Sequence, residues 1–136
     1  MDLEKVFKNL VILDFLFFIF VTVEMLFFQS EEVATISDQL SFGIFNTDAS
    51  AMIGGVFAII LLIIYLISFL LLYSFKYFGK YLFTLAFIVG ILFSLVAGPS
   101  ISTSLGYTLD WVEGAIEGAI LILLYFSPIK DKFIKQ

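Results

Sequence analysis

Hydrophobic residues dominate four stretches of the chain, at about 10–28, 51–73, 81–97 and 109–126, each bounded by charges or turn residues. An α-helix crosses about 30 Å of hydrocarbon in roughly 20 residues, so each stretch has the pattern of a membrane span. The pattern predicts an all-α fold, an integral membrane four-helix bundle that forms a single domain over 1–136. The longest segment left over, 29–50, is shorter than the roughly 40 residues that a chain usually needs to fold unaided. Within it Val33, Ile36 and Leu40 recur at helical spacing, between Ser30 as an N-cap and Gly43 as a stop. This predicts a short helix on the outer surface between spans one and two. Asp48 or Ser50 is placed to cap span two and Gly98-Pro99 to end span three. The Ser/Thr-rich segment 100–108 reads as a loop, with a re-entrant turn as the alternative. Lys5 and Lys8 precede the first run as in a signal peptide, but that run is too long for an h-region, carries Asp14 and Glu24, and has no small-x-small site after it. It is expected to be retained.

Composition strengthens the membrane reading. The chain is 62% hydrophobic and 18% aromatic, with a mean hydropathy of +1.13, whereas soluble domains are about half apolar. Cys and His are both absent, which removes the usual ligands of zinc, haem and iron–sulfur clusters together with thiol and imidazole catalysis. No cofactor is expected. Carboxylates alone, without metal-ligand spacing, also give no basis for an enzyme. The formal charge of −5 does not suit a nucleic-acid partner.

Charge placement adds orientation. All seven basic residues are Lys: Lys5 and Lys8 precede span one, Lys76 and Lys80 separate spans two and three, and Lys130, Lys132 and Lys135 follow span four. All fall on one side of the predicted topology, whereas Glu31, Glu32, Asp38 and Asp48 occupy the opposite loop. Both termini are therefore expected to be cytoplasmic. Tyr73, Phe75, Tyr77, Phe78 and Tyr81 crowd the predicted inner interface, and Tyr107 and Trp111 mark the outer one.

In lipid, helix association depends on small residues that let backbones approach. Span two offers Gly54 and Gly55, span three offers Ala86, Gly90, Ser94 and Gly98, and span four offers Gly114 and Gly118. These ridges predict tight helix packing in the outer half, within the chain or against a partner. The tandem Glu113-Gly-Ala-Ile and Glu117-Gly-Ala-Ile keeps each residue type near one helix face.

Acidic residues inside spans are costly, about 2.5 to 3.5 kcal/mol each on insertion scales, and usually mark function. Asp14 and Glu24 share a seam of span one, and Asp110, Glu113 and Glu117 share a face of span four. At about 1.5 Å per residue, Glu24 and Glu113 lie roughly 6 Å inside the outer boundary and Glu117 roughly 12 Å. These three form the candidate cation or proton site. No Arg or His exists to neutralise them and every Lys lies on the far side, which leaves protonation, a bound cation or admitted water. Structural alternatives stand beside this reading. Asp110 and Glu113 match a capping box, and Glu24 is close enough to the interface to reach headgroup water. Asp14 and Tyr65 form a secondary polar site nearer the inner face, where Asp14 has Tyr65, Ser68, Thr84, Lys76 or Lys80 as prospective partners.

The stretch 76–134, with Lys76-Tyr-Phe-Gly-Lys80 entering span three and Leu124-Tyr-Phe-Ser-Pro-Ile-Lys-Asp-Lys-Phe133 leaving span four, resembles the ends of small uncharacterised bacterial four-span proteins. The resemblance implies a bacterial inner-membrane location and no mechanism. Small multidrug exporters are similar in size and span count and use an embedded Glu in the first helix. Here that residue would be Glu24, too near the outer end, and the Lys bias does not suit their antiparallel dimers.

Two functions follow as expectations. The first is cation- or proton-linked transport or channel-like activity through Glu24, Glu113 and Glu117. The alternative is an accessory, assembly or immunity-type protein that docks through its small-residue ridges with a partner membrane protein or with a second copy, as a homo-oligomer. In both, the lipid bilayer is the chain's first partner.

Overall fold

Hydrocarbon offers no water to backbone N–H and C=O groups, so an apolar chain must close its own hydrogen bonds. The computed structural model describes residues 2–27, 48–97 and 103–133, and every regular element among them is helical. Four long helices, α1 (Leu3–Phe27), α2 (Asp48–Tyr73), α3 (Tyr77–Ala97) and α4 (Ser104–Phe126), are followed by a 3₁₀ segment, Pro128–Phe133. They pack as a bundle in which α2 pairs with α3 and α1 pairs with α4, with a lighter contact between α1 and α2.

Leu3–Glu24, Met52–Tyr73 and Tyr77–Val96 are long and apolar enough to cross a membrane. The chain is accordingly a small multi-pass membrane protein. Helix α4 has the length, at 23 residues, but Asp110, Glu113 and Glu117 interrupt its apolar surface. The expected outer-surface helix and the Gly98-Pro99 stop lie outside the described residues.

Each helix end has a local cause. The Asp2 carboxylate accepts from the Glu4 amide at 3.1 Å and opens α1. Helix α2 ends in a turn closed by the Lys76 amide on the Leu71 carbonyl at 2.8 Å and the Phe75 amide on the Leu72 carbonyl at 3.0 Å. Phe75 occupies the left-handed region at φ 51°, which costs roughly 1–2 kcal/mol for a residue with a side chain. Its ring offsets that cost by packing 5.5 Å from Phe7 and 5.3 Å from Phe133. Helix α4 stops at Ser127, whose hydroxyl donates to the Leu123 carbonyl at 2.7 Å and accepts from the Ile129 amide at 3.1 Å. Pro128 cannot continue the helix, and the 3₁₀ turn carries Ile129 and Phe133 back under the bundle, where both are buried.

The core is concentrated at this end. Phe7, Val11, Phe69, Leu72, Phe83, Ile120 and Leu124 are buried together. A ladder of rings runs on from it, with Phe69 at 5.2 Å from Tyr65 and Tyr65 stacked on Phe18 at 5.5 Å. Around the rim Glu4 meets both Lys8 and Lys132 at 3.3 Å. Exposed ion pairs of this kind add little stability, but the second ties the start of α1 to the segment after α4.

Small-residue packing departs from expectation. At Gly55, Gly90, Gly114 and Gly118 a Cβ would meet nothing within 4 Å, so these glycines close no contact among the described residues. Gly54 is buried. Close approach falls instead at Gly79, where a Cβ would stand 2.6 Å from the Leu71 Cβ and 2.8 Å from its carbonyl carbon. The tight α2–α3 turn brings those backbones together. Gly79→Ala should therefore destabilise the fold by about 1–3 kcal/mol through overpacking, read as a lowered thermal midpoint in detergent, whereas Gly90→Ala should leave that midpoint unchanged or raised.

Candidate functional site

Two contacts set the register of α1 against α4. Near one end lies Glu4 with Lys132; near the other, Glu24 rests on the first turn of α4. There Thr103 is the N-cap, its side-chain oxygen accepting from the Gly106 amide at 3.0 Å while its hydroxyl donates to Glu24. Gly106 makes this possible, since a Cβ at that position would lie 2.7 Å from Glu24 Oε2. Glu24 is thereby buried at the positive end of the α4 dipole, where a carboxylate is favoured.

The cap also moves the start of α4. Thr103 and not Asp110 begins the helix, so residues 104–108 are helical rather than loop, and the expected Asp110–Glu113 capping box is not what opens it. Asp110 sits in the helix's second turn, exposed, within electrostatic reach of Glu24. Sequence reasoning missed Thr103, Gly106 and Gly79. The Ser/Thr-rich composition of 100–108 reads as a loop, although Thr is itself among the residue types favoured at an N-cap.

Midway between the two end contacts, α1 places Asp14 across from the part of α4 that carries Glu117. Asp14 is within electrostatic reach of Glu117 and Glu113, and so belongs to their level rather than to a separate inner layer. It is fully buried, and neither carboxylate oxygen has a hydrogen-bond partner among the described residues. Its expected partners are engaged elsewhere. Ser68 donates to the Tyr65 carbonyl at 2.7 Å, and Thr84 bonds the Lys80 carbonyl at 2.8 Å and the Tyr125 hydroxyl at 2.9 Å. Lys80 stands over the Tyr125 ring at 4.1 Å, and Lys76 is exposed. Tyr65 serves chiefly as a packing ring between Phe18, Phe69 and Phe83.

Helices α3 and α4 meet through Thr84 and Tyr125 and leave a cavity of about 360 Å³ farther along the bundle. Phe18, Val21 and Thr22 line it from α1, Tyr65 from α2, Gly90 and Ser94 from α3, and Asp110, Glu113 and Glu117 from α4. Gly90 and Gly114 border this space, so their missing side chains widen it. Glu113 and Glu117, one turn apart and half-buried, have no ion pair among the described residues; Glu24 is set apart on Thr103. No group of three His, Cys, Asp or Glu side chains among the described residues is arranged to hold a metal ion. The site is thus an open cavity with acids along one wall.

No family model matches this chain, and no curated protein or solved structure compared with it does either.

Removing the cap tests the local account of α4. Thr103→Ala should cost about 0.5–2 kcal/mol, seen as a lower thermal midpoint and faster amide exchange at Gly106 and Tyr107, whereas Ser104→Ala, at an exposed position, should change neither.

Proposed function

We propose that the protein handles protons or small cations across a bacterial inner membrane, with α4 as a fourth span and both termini cytoplasmic. The observation that carries this reading is the pairing of Glu113 and Glu117 along a cavity of about 360 Å³, with no cationic side chain paired to either among the described residues. A cavity of that size admits several water molecules. Water there can solvate carboxylates that hydrocarbon could not, and can supply or remove protons and ions. Glu24, held at the far end of α1, contributes negative potential near Asp110 and draws cations toward that end. The Lys distribution supports the orientation, since all seven basic residues fall on the side assigned to the cytoplasm.

A second reading is supported by Gly55 and Gly118, where an added Cβ would meet nothing within 4 Å among the described residues. In that reading a helix of another membrane protein, or of a second copy, lies against them, and the acids are incidental. The two readings separate in one set of measurements. Reconstituted protein should carry a proton or cation current that Glu117→Gln reduces at least tenfold, with Gly118→Leu leaving oligomeric state and co-purifying proteins unchanged. Unaltered flux in Glu117→Gln, together with loss of a co-purifying partner in Gly118→Leu, would transfer support to the docking protein.

A further inference from the structure

We propose that Asp14, buried beside the acids of the cavity wall and not itself on that wall, is held as a neutral acid that exchanges protons with Glu117, which makes the proton the ion handled. The choice of ion rests on the proposed transport reading; the state of Asp14 does not.

Asp14 lies one turn beyond the α1 residues that line the cavity, on the same helix face. Phe18 and Val21 line the cavity, and Asp14 precedes them by four and seven residues, which places all three on one face of the helix. Glu117, also on the cavity wall, lies across from Asp14, and the charged groups that act on Asp14 are Glu117 and Glu113 of α4. No lysine joins them. From α2, Ser68 is committed to a backbone carbonyl, and from α3, Thr84 is committed to the Lys80 carbonyl and Tyr125.

At 0% exposure, with both oxygens unpartnered among the described residues, an ionised Asp14 would be a buried charge with only like charges beside it there. No described residue supplies the hydrogen bonds or opposite charge that such a burial requires. A proton removes the charge at once. A metal cation would need several oxygens converging on it, and the described acids form no such group. With Glu117 open to the cavity and Asp14 behind it, a proton entering by the cavity passes to Asp14 through Glu117.

Infrared spectroscopy of the protein in lipid bilayers at neutral pH tests the state of Asp14 directly. The expected result is a protonated-carboxyl carbonyl band that is lost in Asp14→Asn and retained in Glu24→Gln. Survival of the full band in Asp14→Asn would overturn the proposal. In proteoliposomes, Asp14→Asn should cut proton flux at least tenfold, and wild-type proton flux should be the same in sodium, potassium or choline salts. Wild-type flux in Asp14→Asn, or a current that follows the metal cation, would also overturn it. If the wild type carries no ion at all, the transport reading fails while the infrared band still decides the state of Asp14. Asn closely matches a neutral Asp in size, and a thermal midpoint near that of the wild type would show that the variant folds.

Discussion

Glu4 with Lys132, and Glu24 with Thr103, hold α1 and α4 in one antiparallel register, and the remaining polar geometry depends on that alignment. A shift of one helical turn, about 5.4 Å, would take Asp14 away from Glu117 and Glu24 away from the Thr103 cap. A methyl group at Gly106 would stand 2.7 Å from Glu24 Oε2, so any larger residue there would displace the carboxylate from its present seat. The register is therefore set by shape at one end and by charge at the other. Between them the apolar side chains Val11, Ile116 and Ile120 pack without adding a direction of their own.

The helices were legible from the hydrophobic runs because backbone satisfaction in lipid leaves few alternatives. The boundaries were less so. An apolar run reports where hydrocarbon begins, but Asp2 and Thr103 start helices several residues earlier by capping them, and all depths counted from the run ends inherit that offset. This is why Asp14 seemed remote from Glu117 on the sequence and lies level with it in the fold. The spacing that set Glu113 and Glu117 on one face, by contrast, needed only helical periodicity and held. Glu24 reads from the sequence either as a solvated acid near the interface or as a member of the site; its partner is a residue 79 positions away, and no local pattern carries that information.

The glycines show a different limit. Spacing at steps of four identifies a smooth helix face, and the smooth faces exist. What spacing cannot say is whether a neighbour fills them. Here Gly90 and Gly114 both border the cavity, and the two close approaches in the described chain come from isolated glycines, Gly79 at a turn and Gly106 at a cap. A ridge of small residues signals low steric cost, which a protein can use for contact or for space.

The pairing order has a consequence for biogenesis. Helices α2 and α3 are joined by a turn of a few residues and can associate as soon as both have left the translocation machinery. Helix α1 packs mainly on α4 and only lightly on α2, so its packing is complete only once α4 is in place. Before then Phe18 can meet Tyr65 of α2, while the Phe7 and Phe75 rings lack the Phe133 ring that completes their cluster. The segment after α4 is thus the clasp of the bundle.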